Sequence, residues 1–303
     1  MKLQHLKTLL ILCSPPVIWG ILFIMAVPIF KEIDPLFFPV VRYVPSVIVL
    51  LIVLLIIEGK KAFKVDKKFL QAMLLGAISM AGFNILVWIG VALSGGVIAS
   101  VMQPVAPLMA VIFSFILFKE KFSLPTFVVI FIAFCGVFIA ASEGDFSFLF
   151  HGHPLGFLLI FFGVSLSVLS GIYAPRFKEY SFLRYASITS LGGCVAFVIS
   201  SIVSINLGYT HVPSLDNILN ISGYLLYAVV LAGSLPMLLV FKGVKLVGPV
   251  NTMLLMNLVP VVAIVGSMVA GYKITTWEIC GALIVIFAMT LHYFNVKRNN
   301  QNF

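Results

Sequence analysis

The sequence predicts an all-α membrane protein of ten transmembrane helices, arranged as two inverted five-helix repeats. Three observations predict it: a composition too apolar for water, ten apolar runs of spanning length, and Lys and Arg gathered on alternate loops. Hydrophobic residues make up 62% of the 303 and charged residues only 10%, with a mean hydropathy of +1.18. A soluble domain is roughly half apolar and a quarter charged. Too few polar residues remain here to cover the apolar surface in water, so lipid is the solvent the chain is built for.

A spanning helix needs about 20 mostly apolar residues. The first run, 8–30, follows Lys2 and Lys7 as a signal peptide would, but it is too long for a cleaved apolar region. No A-x-A site follows it, so it reads as the first helix. The others are 36–57, 70–92, 97–118, 124–142, 155–174, 184–205, 221–241, 247–270 and 276–295. The shortest links, at Gly95-Gly96 and from Lys242 to Leu246, allow only tight helical hairpins.

Charge orients the stack. One set of alternate loops collects sixteen of the 19 basic residues, including the cluster Lys60, Lys61, Lys64, Lys67 and Lys68. The opposite loops hold only Lys31 and Lys273, and Arg42 lies inside the second run. The positive-inside rule therefore predicts a multi-pass protein of the inner (plasma) membrane with both termini cytoplasmic. The net charge of +9 does not point to nucleic acid, because the basic residues sit at the ends of apolar runs without aromatic interleaving. Cys13, Cys135, Cys194 and Cys280 all fall inside apolar runs and read as packing residues, with no disulfide framework or zinc site.

A shift of 153 residues lays Phe83–Val91 over Pro236–Val244 with Leu, Val, Gly and Val in place. The same shift lays Gly95 on Gly248 and Pro107 on Pro260. The repeat unit is half the chain, 1–150 and 151–303. Each half holds five helices, and because five is odd the second copy enters from the opposite side. Inverted repeats of this kind recur in secondary transporters, where similar halves exchange conformations to open a site to each face in turn.

Small residues four apart, Gly192, Ala196, Ser200 and Ser204 on the seventh run and Gly163, Ser167 and Gly171 on the sixth, suit close helix packing. Polar groups inside runs say more, because lipid offers them no hydrogen bonds. Trp19, Asn84, Trp88, Gln103, Tyr173 and Asn257 are the candidates for a central substrate site: aromatic faces for the apolar part of a ligand, amides for its polar end. The alternative for each Asn is interhelical hydrogen bonding. Pro104, Pro107 and Pro260 predict bends in the fourth and ninth runs. Arg42 has two readings. It is a structural cation, snorkelling outward or paired with Asp34 or Glu32, or it is the counter-charge for an anionic substrate group. No acidic residue falls at mid-run. His151 and His153 lie in a loop beside Glu143 and Asp145 and make only a weak metal candidate, and no metal or cofactor is expected. HExxH, DDxxD, a Ser/His/Asp set and GxxxxGK[ST] are all absent, which argues against hydrolase chemistry and ATP binding.

The run from Ala92-Leu93 through Ala99, Pro104 and Pro107 to Glu120, with Trp19-Gly20 in the first run and Arg42 in the string Phe38–Tyr43, resembles the EamA-type drug/metabolite transporter superfamily along the whole chain. The resemblance implies ten helices in two inverted repeats, a central cavity and alternating access. Members carry amino acids, other metabolites, drugs and nucleotide-linked compounds, and bacterial ones are often exporters. One departure stands out: where the family has Gly-Glu near the end of the penultimate helix, this chain has Gly271 followed by Tyr272-Lys273. The expected function is secondary transport of a small organic metabolite, an amino acid or related compound. The alternative is a membrane-embedded enzyme or a non-transporting membrane subunit.

Overall fold

A chain surrounded by lipid must satisfy its backbone internally, and an apolar run does so by coiling into a helix. The computed structural model describes residues 2–34, 36–94, 105–121, 123–142, 145, 154–256, 258–269 and 275–300. Among these residues every regular element is helical. The first half comprises α1 (Lys2–Ile29), α2 (Phe38–Glu58), α3 (Lys67–Gly76), a π-helix (Ala77–Gly82), α4 (Phe83–Ser94), α5 (Val105–Phe118) and α6 (Leu124–Ser142). The second half comprises α7 (Pro154–Ser167), α8 (Leu169–Tyr173), α9 (Phe182–Asn206), α10 (Leu215–Asn220) and α11 (Ser222–Leu226). It continues through a second π-helix (Tyr227–Ser234) into α12 (Leu235–Val247), α13 (Pro249–Leu255), α14 (Leu258–Val269) and α15 (Thr276–Asn300).

Every run read as a span contains helix. Five described stretches are long and apolar enough to cross a bilayer: Phe38–Glu58, Lys67–Val87, Leu155–Arg176, Phe182–Asn206 and Ser222–Val247. Their outward faces carry exposed apolar side chains such as Ile52, Ile56, Ile199 and Ile202, as a lipid-facing surface requires. Polar caps appear where helices start outside the apolar zone. Asp66 accepts from the Phe69 N–H at 2.8 Å to start α3, and Ser181 accepts from the Arg184 N–H at 2.9 Å to start α9.

The packing is reciprocal between the halves. The first π-helix lies against α9, and the second against α2. Helix α4 packs on α7, α12 packs on α1, and α6 packs on α15. The small-residue stripes act as packing surfaces: a Cβ on Gly192 would lie 1.9 Å from the Met73 carbonyl oxygen, and one on Gly76 would lie 1.8 Å from that of Thr189. Helices α3 and α9 thus cross backbone to backbone, which glycine alone permits. Gly163 meets Val87 and the Phe83 carbonyl in the same way.

Pro107 lies in α5 and Pro260 in α14. The ninth run is interrupted: one helix ends at Leu255, Met256 lies in a turn, and α14 is described from Leu258. Pro104 lies outside the described residues.

Candidate functional site

Trp19 and Arg42 of the first half meet the second half at one carbonyl. Ala232 sits in the second π-helix, whose wide turns hold i→i+5 bonds in place of the tighter α pattern. Its carbonyl accepts from Trp19 Nε1 at 3.1 Å and from Arg42 Nη2 at 2.6 Å. Two donors from α1 and α2 thus grip a third helix, and both lone pairs of that oxygen are used. Around this point the contacts multiply. The Ser46 hydroxyl lies between the carbonyls of Arg42 (2.7 Å) and Val229 (2.8 Å), and Tyr227 Oη donates to the Ile18 carbonyl at 2.9 Å. A Cβ on Gly233 would lie 1.9 Å from Ser46 Oγ, so the glycine lets α2 approach the π-helix closely. Gly20, next to Trp19, meets Val259 and Val262 near the start of α14.

Arg42 pairs with neither acid proposed for it. Asp34 accepts from the Leu36 N–H at 2.7 Å, and Glu32 accepts from Asn217 Nδ2 at 2.6 Å. Among the described residues no carboxylate lies within ion-pair distance of Arg42. Its guanidinium carbon stands 4.7 Å from the Tyr43 ring centroid, and Tyr43 stacks on Phe197 with centroids 5.0 Å apart. Arg42 Nε is buried and has no hydrogen-bond partner among the described residues.

The other predicted site residues divide. Tyr173 and Trp19 both pack against the cluster that contains Leu54, Tyr185, Phe241 and Val244. Tyr173 also meets Phe118 edge-on at 4.9 Å, above the ion pair of Glu120 with Arg176 at 3.0 Å. Lys119, at φ 58°, turns the chain so that Glu120 reaches that partner. The Asn84 amide donates to the Met80 carbonyl of the first π-helix at 2.8 Å, one turn back on its own span. The side chain of Trp88, and Gln103 and Asn257 altogether, lie outside the described residues. Ser46, Tyr227 and Ala232 were not legible as site residues. The one available signal is that Ser46 follows Arg42 by four residues and so shares its helix face.

On the Lys-rich side, polar contacts tie the links between spans together. Glu58 accepts from the Ser181 hydroxyl, Lys245 donates to the Tyr180 carbonyl, and Lys68 pairs with Glu179 at 2.8 Å. Arg184 Nε donates to the Ala62 carbonyl at 2.8 Å and its guanidinium lies 3.8 Å from the Tyr180 ring centroid. The Phe69 N–H, reinforced by the Arg184 charge, holds the Asp66 carboxyl below the usual carboxylate range, and burial pushes the Tyr180 phenol up. Among the described residues no cluster of three or more His, Cys, Asp or Glu is placed to hold a metal.

An all-helical membrane protein with two similar halves, joined where Trp19 and Arg42 reach the Ala232 carbonyl, has the make-up of a transporter of small molecules. The chain belongs to the EamA-like transporter family, which it matches twice, over residues 6–142 and again over 154–294. It is similar to the uncharacterized transporter YrdR of Bacillus subtilis (strain 168), with 31% identity covering 94% of this chain and 90% of that one. It is also similar to the uncharacterized transporter YyaM of the same organism, at 27% identity covering 95% and 93%. A solved crystal structure shares the fold with a TM-score of 0.78 and 14% identity, over 96% of this chain and 97% of the other.

Proposed function

We propose that the chain is a secondary carrier of a small organic metabolite, an amino acid or related compound, working by alternating access. Ten spans form two inverted five-helix repeats, 1–150 and 151–303, in the inner (plasma) membrane with both termini cytoplasmic. The observation that carries this reading is the grip of Trp19 and Arg42, from the first half, on the Ala232 carbonyl of the second. A joint of this kind moves whenever the halves move, and an inverted repeat has its substrate site between its halves. The reciprocal packing of the π-helices on α9 and α2 supports the inversion. The placement of sixteen of the 19 basic residues on one set of loops supports the orientation.

Trp19, Arg42, Asn84, Trp88, Gln103, Tyr173 and Asn257 face the path in this reading. Transport in proteoliposomes, combined with thiol labelling of single cysteines at these seven positions, tests it. The four native cysteines are first replaced by Ala. Water-soluble reagent labels most of the seven, and a transported compound slows the labelling. If most remain unlabelled from both sides while transport persists, the path runs elsewhere.

A further inference from the structure

We propose that the carried molecule presents a carboxylate or similar small anion and that Arg42 receives it; this rests on the carrier reading above. A guanidinium has five N–H donors and a permanent charge. Taken out of water it needs a counter-charge or a full set of acceptors. Among the described residues Arg42 finds neither: one nitrogen is used on Ala232, the Tyr43 face partly balances the charge, and Nε is buried without a partner. Glu32 and Asp34, the acids nearest in sequence, are committed to Asn217 and to the Leu36 N–H. The unfilled requirement is an anion, and the planar fork of an arginine fits a carboxylate through two parallel N–H bonds.

The arrangement lets Arg42 change partners at small cost. The Ala232 carbonyl also accepts from Trp19, so it stays hydrogen-bonded when Arg42 turns away. Releasing Ala232 loosens one of the two side-chain ties from α1 and α2 to that carbonyl. Anion arrival is thereby coupled to freedom of the second π-helix against α2, where Ser46 and Gly233 remain in contact. A charge that only capped a carbonyl would need no such duplicate donor.

Trp19 is the reporter, because it shares its acceptor with Arg42. Purified full chain in lipid nanodiscs is titrated with iodide and, separately, with neutral acrylamide, and tryptophan quenching is read. The Trp19→Phe variant gives the Trp19 component by difference. Iodide quenches that component about two- to fivefold more steeply in the wild type than in Arg42→Gln, the range a single partly screened charge supports. Acrylamide quenches both alike, and Arg42→Lys keeps the iodide preference. Acetate suppresses iodide quenching in the wild type, and acetamide does not. Equal iodide slopes in wild type and Arg42→Gln, or equal suppression by acetate and acetamide, overturn the proposal. The acetate comparison uses only wild-type protein and stands even where Arg42→Gln does not fold. A neutral or cationic compound carried in liposomes at the wild-type rate by Arg42→Gln refutes the anion assignment and leaves the carrier. Acetate protection with no compound carried keeps the anion site and refutes the carrier.

Discussion

Replacing Gly192 with Ala tests the crossing that joins the halves. The added methyl would lie 1.9 Å from the Met73 carbonyl oxygen, where ordinary contact begins at 3.4 Å. The obstacle is backbone on a neighbouring helix, so no rotamer change relieves it. Helices α3 and α9 must separate by roughly 1.5 Å, the difference of those two distances, and overpacking of this kind costs about 1–3 kcal/mol. Alanine also favours the helix over glycine by about 1 kcal/mol. Gly223→Ala supplies the control, since nothing lies within 4 Å of its added methyl. The propensity gain is at most about 1 kcal/mol in either variant, so overpacking is the larger difference between them. At about 2–4 °C per kcal/mol, the overpacking sets their melting temperatures roughly 2–12 °C apart, with Gly192→Ala the lower. Thermal unfolding in detergent, followed by intrinsic fluorescence, measures this. Gly192→Ala melting at or above Gly223→Ala would refute the backbone-to-backbone crossing.

Two further outcomes follow from particular residues. The folded-state pKa of Asp66 is lowered, so its contribution to stability is present above the ordinary value of 3.8 and is lost as pH falls through the lower folded value. Thermal scans at descending pH show this acid step in the wild type, and Asp66→Asn removes it while melting lower at neutral pH. A reporter that fluoresces only in the cytoplasm, fused after Phe303, is bright if the spans number ten. A dark fusion together with an active outside reporter at the same position would sink that count.

The apolar helices were legible because lipid enforces one rule, continuous apolar length, and five of the runs hold described helices long enough to cross a bilayer. The repeat was legible for a related reason. The shift of 153 residues that aligns Pro107 with Pro260 also lays Ala77–Gly82 on Val230–Leu235, almost coincident with the second π-helix. The π-helices themselves left no mark, since Ala, Ile, Ser, Met and Gly suit an α-helix as well, and the wide turn is set by packing. Arg42 and Trp19 were recognisable as out of place in lipid, but their common acceptor is a backbone oxygen 190 residues beyond Arg42. A carbonyl has no letter in the sequence. Asn84 satisfied itself one turn back, a choice its residue type leaves open.

The paired π-helices also set the angular phase of their spans. An α-helix advances by about 100° per residue, so a turn that takes in one extra residue rotates everything after it by roughly that angle. In the span Lys67–Val87 the side chains of α4 face a direction that counting forward from α3 would miss, and in the span Ser222–Val247 the same holds for α12 after α11. Because both halves carry the slip at equivalent positions, their faces remain in step with each other. Deleting one residue from a single π-helix would re-phase that span alone: α4 would lose its face against α7, or α12 its face against α1, while the other half kept its own.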